Sequence, residues 1–221
     1  MPEKSVFKSL RITIAGLVAA AGLYAGSFRS WFPDCGLPVR IVEVTDGDTV
    51  VLEGGERLRL IGIDTPETYR RDKGSFVYDP QPFSDAASDM MRTLAERSDV
   101  CRIKPGRESR DRYDRRLGYL FCRIDGSECF LNRKMLEQGL AVLCVMAPNT
   151  EHVGDLWDAQ EKARQSRLGI WSLPPVTDTD ARRYLGQIRT VRGTVLSAYR
   201  GKKDVLLNFG NDYKTDFTIV I

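Results

Sequence analysis

The chain has 221 residues, of which 42% are hydrophobic and 29% are charged, so it can bury a substantial core and is not a disordered tail. Lysine and arginine together number 33 against 30 aspartate and glutamate residues, a formal net charge of +3. Bulk charge therefore does not mark a nucleic-acid-binding protein, and any attraction to a polyanion has to come from local clustering.

The N-terminal segment predicts a membrane anchor. Residues 12–28 contain no charged side chain and are flanked by Arg11 and Arg29, and this length is near the lower limit for a membrane-spanning helix. We expect residues 1–36 to form this anchor and a short linker, with the rest of the protein facing the cell exterior or the periplasm. The alternative is a secretory signal that is cleaved near the small residues at 19–21 and releases the protein.

The five cysteines and the single histidine, His152, show no zinc-binding spacing. A lone histidine also argues against Ser/His/Asp or Cys/His catalysis. A disulfide between Cys101 and Cys122, on neighbouring predicted strands, is one hypothesis for an exported domain. The alternative, which we favour from the sequence, is that the cysteines are small buried hydrophobic residues.

The order of the predicted elements indicates an α+β domain at residues 37–173. Strands are predicted at 40–44, 49–52, 57–63, 100–103 and 117–124, and helices at 84–95, 131–139 and 155–168, with Ser84 as the N-cap of the first helix. Residues 68–82 form a polar loop, and 140–146 are strand-like. This order is typical of a five-stranded Greek-key barrel of the OB type with three helices.

The end of the chain has a different composition. Residues 174–187 begin with two prolines and predict a linker. Residues 188–221 are rich in β-branched residues, with strands predicted at 192–196, 205–209 and 217–221. We expect a small β-rich module there that either pairs with the first domain or is incomplete, because three strands are few for an independent domain.

Two acidic turns carry the chemistry that the sequence predicts. They are Asp46-Gly47-Asp48-Thr49 and Asp64-Thr65-Pro66-Glu67, and arginines accompany them at Arg59 and Arg115. Carboxylate oxygens beside guanidinium groups suit a divalent cation and a phosphodiester that share one site. The alternative is that each turn is ordinary turn chemistry and that each arginine is solvated. Because the features occur together, we favour a metal-dependent nuclease.

These turns, together with the segments 111–119, Asn132 and 137–141, resemble the staphylococcal nuclease or thermonuclease family over residues 39–171. The resemblance implies a calcium site formed by Asp48, Asp64 and the backbone carbonyl of Thr65. It implies that Glu67 is the general base and that Arg59 and Arg115 bind the phosphate. It also places Arg112 and Tyr113 at the terminal phosphate of the substrate.

The implied activity is calcium-dependent endonucleolytic hydrolysis of DNA and RNA, preferably single-stranded or locally unpaired, with little sequence specificity and with 3′-phosphate products. No obligate protein partner is expected. Residues 144–147 lack the tyrosines that stack on the base in the prototype, and aromatic residues of the enlarged loop could substitute: Tyr69, Phe76, Tyr78 and Phe83. The alternative is a catalytically silent OB-fold module that binds nucleic acid or protein at a membrane.

Overall fold

The computed structural model describes residues 36, 38–202, 204–212 and 215–220. The predicted anchor at residues 12–28 and the alternative cleavage site lie outside these ranges. Within the described ranges, no helix is both long enough and apolar enough to cross a bilayer. The anchor therefore stays a prediction.

The elements of the first part of the chain, in order, are β1 (Pro38–Val39), β2 (Ile41–Val44), β3 (Thr49–Leu52), β4 (Arg57–Leu60), β5 (Gly62–Asp64), β6 (Tyr69–Asp72), β7 (Ser75–Tyr78), α1 (Ser84–Glu96), β8 (Ser98–Arg110), β9 (Arg116–Ile124), β10 (Ser127–Phe130), α2 (Leu131–Glu137), β11 (Val142–Cys144) and α3 (Val153–Gln165). They are followed by a 3₁₀ helix (Gly169–Ser172), β12 (Val176–Thr177), a second 3₁₀ helix (Ala181–Tyr184), β13 (Val191–Arg192), β14 (Ser197–Arg200), β15 (Val205–Asn208) and β16 (Thr218–Val220).

The main sheet closes on itself in a barrel-like way. Its strand order is β1-β8-β9-β4-β3-β2, and β10 adds to β9. β1 and β2 lie at opposite ends of this order, yet only Arg40 separates them in the chain, so the sheet must curl until its ends meet. With three helices packed on a mostly β core, the predicted α+β class is confirmed. The sheet has seven strands instead of five, because the short strands β1 and β10 extend it.

The apolar core lies between the barrel and the three helices. Fully buried side chains come from every layer, among them Leu58 and Leu60 of β4, Met91 of α1, Met135 of α2 and Leu156 of α3. Burying one such side chain contributes roughly 1.5 to 3 kcal/mol, so this core fixes the strand ends on which the acidic turns lie.

Two local predictions around the start of α1 are wrong. Ser84 is the first residue of α1 and not its N-cap, since Phe83 takes that position in a left-handed conformation (φ 71°) without a side-chain cap. Residues 68–82 are not an irregular loop, because β6 and β7 pair as an antiparallel hairpin. Its turn passes through positive φ at Lys73 (45°) and Gly74 (91°), a backbone twist that matches tight hairpins.

Cys101 of β8 and Cys122 of β9 are opposite each other in the sheet and form a disulfide. Both are buried, so they are core residues as well. The disulfide hypothesis is confirmed for this pair, and the alternative that we favour from the sequence, unpaired buried cysteines, is wrong for it. Cys129 and Cys144 are free.

The C-terminal part contains an antiparallel sheet of order β14-β15-β16, while β12 and β13 pair in parallel. The predicted strand at 192–196 is displaced, since β13 ends at Arg192 and β14 starts at Ser197. The boundaries proposed between the domain, the linker and this module remain predictions.

Candidate active site

The two acidic turns lie against each other at one end of the barrel. Asp48 is buried, and its Oδ2 accepts hydrogen bonds from the backbone N–H of Thr65 (2.9 Å) and from the Thr65 hydroxyl (3.1 Å). Its Oδ1 accepts a third from the hydroxyl of Thr49 (3.0 Å). Asp46 supports the first turn by accepting the backbone N–H of Asp48 (3.0 Å). A carboxylate is thus the link between segments that are far apart in sequence.

A glycine makes this close approach possible. A Cβ atom added at Gly47 would lie 2.8 Å from the Cβ of Ala87 in α1 and 2.8 Å from Cγ2 of Thr65. Real side chains do not come so close, so any larger residue has to displace either α1 or the second turn. Gly47 is therefore required by packing rather than by its backbone angle.

Arg59 lies between the two carboxylates that the sequence assigns to the metal. Its Nε is 3.1 Å from Oδ1 of Asp48, and its Nη2 donates to Oδ1 of Asp64 at 2.7 Å. Its Nη1 donates to the backbone carbonyls of Leu60 (2.8 Å) and Ile63 (2.7 Å). Because every guanidinium nitrogen has a partner, the head group is held in one orientation, with its charge shared between Asp48 and Asp64.

The carboxylates of this site are hard to ionise. Burial raises the pKa of Asp48 to about 7, although Arg59 acts in the opposite direction. Burial also raises the pKa of Asp64, again opposed by Arg59. The pKa of Glu67 is raised too, first by desolvation and then by the charges of Asp46 and Asp64, even though its side chain is exposed. Desolvation is the first cause in all three cases, and the charge of Arg59 opposes it each time.

Arg115 reaches the same cluster from the turn between β8 and β9. Oδ2 of Asp111 accepts from its Nε at 2.7 Å, and Oδ1 of Asp111 accepts the backbone N–H groups of Tyr113 (2.9 Å) and Arg115 (3.0 Å). Arg115 Nη1 then lies 3.4 Å from the hydroxyl of Thr49, the neighbour of Asp48. The sequence analysis assigns no role to Asp111. The feature that could have identified it is an aspartate at the start of a tight turn that ends in an arginine.

A cleft of about 430 Å³ opens beside the two arginines. Its lining residues are Arg59, Leu60, Ile61, Gly62, Ile63, Glu108, Asp111, Arg112, Tyr113, Arg115, Leu117, Cys144, Met146 and Asn149. Four predicted site residues thus share one cavity: Arg59, Arg112, Tyr113 and Arg115. The other four predicted residues do not line the cleft. Asp48 and Asp64 contact Arg59, which does line it, and Thr65 is hydrogen-bonded to Asp48. Glu67 lies in the same turn as Asp64 and Thr65.

Two buried asparagines hold the cleft wall. Asn132 accepts the backbone N–H of Leu120 (2.9 Å) and donates to the carbonyl of Ile61 (2.7 Å). Asn149 accepts the N–H of Glu108 (3.0 Å) and donates to its carbonyl (3.1 Å). Both satisfy backbone groups that β pairing leaves open, so they position the walls without reaching the reacting groups.

No group of three or more histidine, cysteine, aspartate or glutamate side chains suited to a metal ion occurs in the described part of the chain. The predicted calcium set is smaller than such a group, since it contains two carboxylates and one backbone carbonyl. The remaining ligands of an oxygen-coordinated ion would have to be water or substrate.

Comparison with known proteins identifies the family to which this chain belongs. Residues 57–173 match the sequence model of the family described as Staphylococcal nuclease homologue. The chain is 32% identical over 136 residues to "Thermonuclease" of Staphylococcus hyicus, covering 60% of this chain and 75% of that protein. It is 34% identical over 134 residues to "Thermonuclease" of Staphylococcus intermedius, covering 59% and 74%. It is 30% identical over 135 residues to "Endonuclease YhcR" of Bacillus subtilis (strain 168), covering 58% of this chain and 11% of that protein. The chain therefore belongs to the staphylococcal nuclease family.

Proposed function

We propose that the protein is a calcium-dependent endonuclease that hydrolyses phosphodiester bonds in DNA and RNA with little sequence specificity and leaves 3′-phosphates. The observation that carries the proposal is the placement of Arg59, which contacts Asp48 and Asp64 and also lines the cleft that Arg115 shares. The names of the relatives support a nuclease. Arginine contacts to phosphate carry no sequence information, which agrees with low specificity.

The residues present fit a calcium ion. Oδ1 of Asp48 and Oδ1 of Asp64 both contact the guanidinium of Arg59, so these two hard oxygens are near each other. Asp48, Asp64 and the carbonyl of Thr65 would hold the ion, with water completing a flexible coordination sphere. When bound, calcium would supply positive charge that polarises the phosphodiester and makes the attacking water easier to deprotonate.

Glu67 is the group best suited to take a proton from the attacking water. It is exposed, it follows the Asp64 turn, and its raised pKa brings it closer to neutral pH, where a general base works best. Arg59 and Arg115 would donate to the phosphate oxygens and stabilise the charge that grows in the transition state. Both are already held by carboxylates, so little reorganisation is needed.

Arg112 and Tyr113 lie at the cleft mouth and would contact the terminal phosphate of the substrate. Nη2 of Arg112 donates to the Tyr113 hydroxyl at 2.7 Å, and its guanidinium lies 4.8 Å from the centre of that ring. The two side chains form one unit with a cation and a phenol hydroxyl, which suits an anionic end group.

The test is to incubate the full chain, purified in mild detergent, with plasmid and single-stranded DNA in calcium or in a calcium chelator. We expect cleavage only with calcium, and oligonucleotide ends that terminal transferase extends only after phosphatase treatment. Binding without cleavage would overturn the proposal in favour of the silent binding module.

We further propose that residues 12–28 anchor the protein with this site facing the cell exterior or periplasm. The disulfide between Cys101 and Cys122 supports an oxidising compartment, because such bonds are rare in the cytosol. Protease added to intact cells or spheroplasts should remove the domain while a fragment stays in the membrane. A soluble product that starts after residue 21 would instead support cleavage of a signal.

A further inference from the structure

The β6–β7 hairpin begins at the candidate active site. Its base is closed by two backbone hydrogen bonds, from Asp79 to the carbonyl of Thr68 (3.1 Å) and from Gln81 to the carbonyl of Glu67 (2.9 Å). Glu67, the predicted general base, therefore lies at the base of the hairpin. Every residue of both strands is exposed, so the hairpin projects from the barrel instead of packing on it.

One face of the hairpin is aromatic and basic. Tyr69 is paired with Tyr78, and Arg71 with Phe76, and alternate residues of a strand point to the same side. These four side chains consequently share one face. Phe76 is 75% exposed, Tyr78 58% and Tyr69 53%, an unusual density of uncovered rings on so short an element.

The root of this face is fixed, whereas its tip is uncovered. Tyr78 donates to Oδ2 of Asp85 in the first turn of α1 (3.1 Å), and the rings of Tyr69 and Tyr78 meet edge to face at 5.7 Å. Phe76 and Arg71 lie farther out towards the turn. The two tyrosine rings are thus held in place before any ligand arrives, and the Phe76 ring extends the surface beyond them.

The two faces of the hairpin also differ in charge. On the other face, Arg70 contacts Asp79 at 2.8 Å and Asp72 at 4.0 Å, so its charge is compensated. Arg71 and Lys73 take part in no ion pair within the described ranges. The positive charge that remains for an external anion is therefore next to the rings.

We propose that this face binds the bases and phosphates of a single-stranded polynucleotide next to the cleavage site. Bases stack on aromatic rings without regard to sequence, while arginine and lysine attract the phosphates. The cleft itself offers Cys144 and Met146 and no second aromatic beside Tyr113, so the hairpin supplies the stacking surface that the cleft lacks. The inference rests on the proposed nuclease function, which it deepens by naming a surface that binds the substrate outside the cleft.

The test compares Phe76→Ala with Val77→Ala, a neighbour on the opposite face and a matched control. Steady-state cleavage is measured on a dinucleotide, chosen as the shortest substrate with a scissile phosphodiester, and on a 20-nucleotide single strand. We expect Phe76→Ala to raise KM for the long strand about five- to tenfold, with kcat and all dinucleotide kinetics unchanged. Val77→Ala should leave both substrates unaffected.

An unchanged KM for the long strand in Phe76→Ala, while the wild type cleaves normally, would overturn the hairpin inference and leave the nuclease proposal intact. If the wild type does not cleave, affinity for a fluorescent 20-nucleotide strand in chelator decides the inference separately. Weaker binding by Phe76→Ala than by Val77→Ala supports it, and equal binding overturns it. Loss of binding to anionic lipid vesicles without loss of strand binding would assign the face to a membrane and also overturn it.

Discussion

Thr65 donates two hydrogen bonds to a single oxygen of Asp48, one from its backbone N–H at 2.9 Å and one from its hydroxyl at 3.1 Å. The two residues are 17 positions apart, and each belongs to a different acidic turn. Because both bonds end on a buried carboxylate, they set the distance between the two halves of the proposed calcium site.

Thr65→Val should separate the roles of these bonds, since it removes the hydroxyl, retains the N–H and keeps the shape. A hydrogen bond to a charged group contributes about 1.5 to 3 kcal/mol. Above about pH 7, where Asp48 is ionised, we therefore expect a loss of that size in urea-induced unfolding, together with a lower calcium affinity. Thr65→Ser keeps the hydroxyl and serves as the control. Equal stability of the two variants would contradict the role of the hydroxyl.

Arg59→Ala should affect stability as well as turnover. It leaves Asp48 and Asp64 without their shared guanidinium, and loss of one partner of a buried pair costs about 3 to 5 kcal/mol, less here because Asp64 is partly exposed. Chemical denaturation without calcium should show this loss, and added calcium should restore part of it. Turnover should fall at least about a hundredfold even at saturating calcium.

Arg57→Ala is the matched control, because Arg57 is an exposed arginine of the same strand. It should leave both stability and turnover close to wild type. If calcium did not stabilise Arg59→Ala at all, the carboxylates could not be its binding site.

The calcium-free protein should lose stability as the pH rises. The pKa of Asp48 is 3.8 in an unfolded chain and about 7 in the folded protein, so between these values the folded state holds a proton that the unfolded state has released. The unfolding free energy must therefore fall from about pH 4 to about pH 7 by up to a few kcal/mol, and then level off.

Thermal denaturation in chelator across this pH range checks the prediction. Asp48→Asn removes the carboxyl whose pKa reaches about 7 and should reduce the slope, while Asp64 and Glu67, whose pKa values are also raised, account for the slope that remains. In saturating calcium the stability should instead rise with pH over this range, because the ion binds the ionised carboxylate. A wild-type stability that rises over the same range would contradict the assignment to Asp48.

Glu67→Gln should lower kcat by about a hundredfold or more with little change in KM, because the amide keeps the size of the side chain and cannot accept the proton. Single-turnover cleavage of an oligonucleotide measures the chemical step directly. Glu53→Gln, at an exposed turn between β3 and β4, is the control and should retain full activity. A large increase in KM with normal kcat would assign Glu67 to binding.

The strand predicted at 57–63 is divided in the structure into β4, which belongs to the main sheet, and β5, which pairs with β11. The sequence otherwise predicts the barrel strands and the three helices well, because their apolar periodicity matches what the core buries. It does not predict the hairpin at 69–78, where polar and aromatic residues alternate with no buried side, so composition suggested a loop. The sequence groups Arg59 with the two acidic turns but does not predict its direct contact with both carboxylates. That contact depends on how β4, β5 and the two turns come together, and local patterns do not contain that information.

Asp111→Asn should disturb catalysis through the orientation of Arg115. The asparagine can still accept the two backbone N–H groups, but its amide cannot accept from Nε of Arg115, so the turn remains while the guanidinium loses its carboxylate. We expect kcat to fall roughly tenfold and unfolding stability to fall by about 1 kcal/mol, since both side chains are only about one-fifth exposed. Asp114→Asn, at an 87% exposed side chain in the same turn, should change neither quantity.

The pH dependence of this variant gives a second measurement that a general loss of packing would not imitate. Partial burial acts to raise the pKa of Asp111, but the hydrogen bonds from Arg115 outweigh it and hold that pKa below the ordinary value of 3.8. The stabilisation by Asp111 is therefore complete above pH 3.8 and is lost as the pH falls through the folded value. The stability difference between wild type and Asp111→Asn should accordingly shrink in acid, and a difference that stays constant down to pH 2 would show that the carboxylate charge does not hold Arg115.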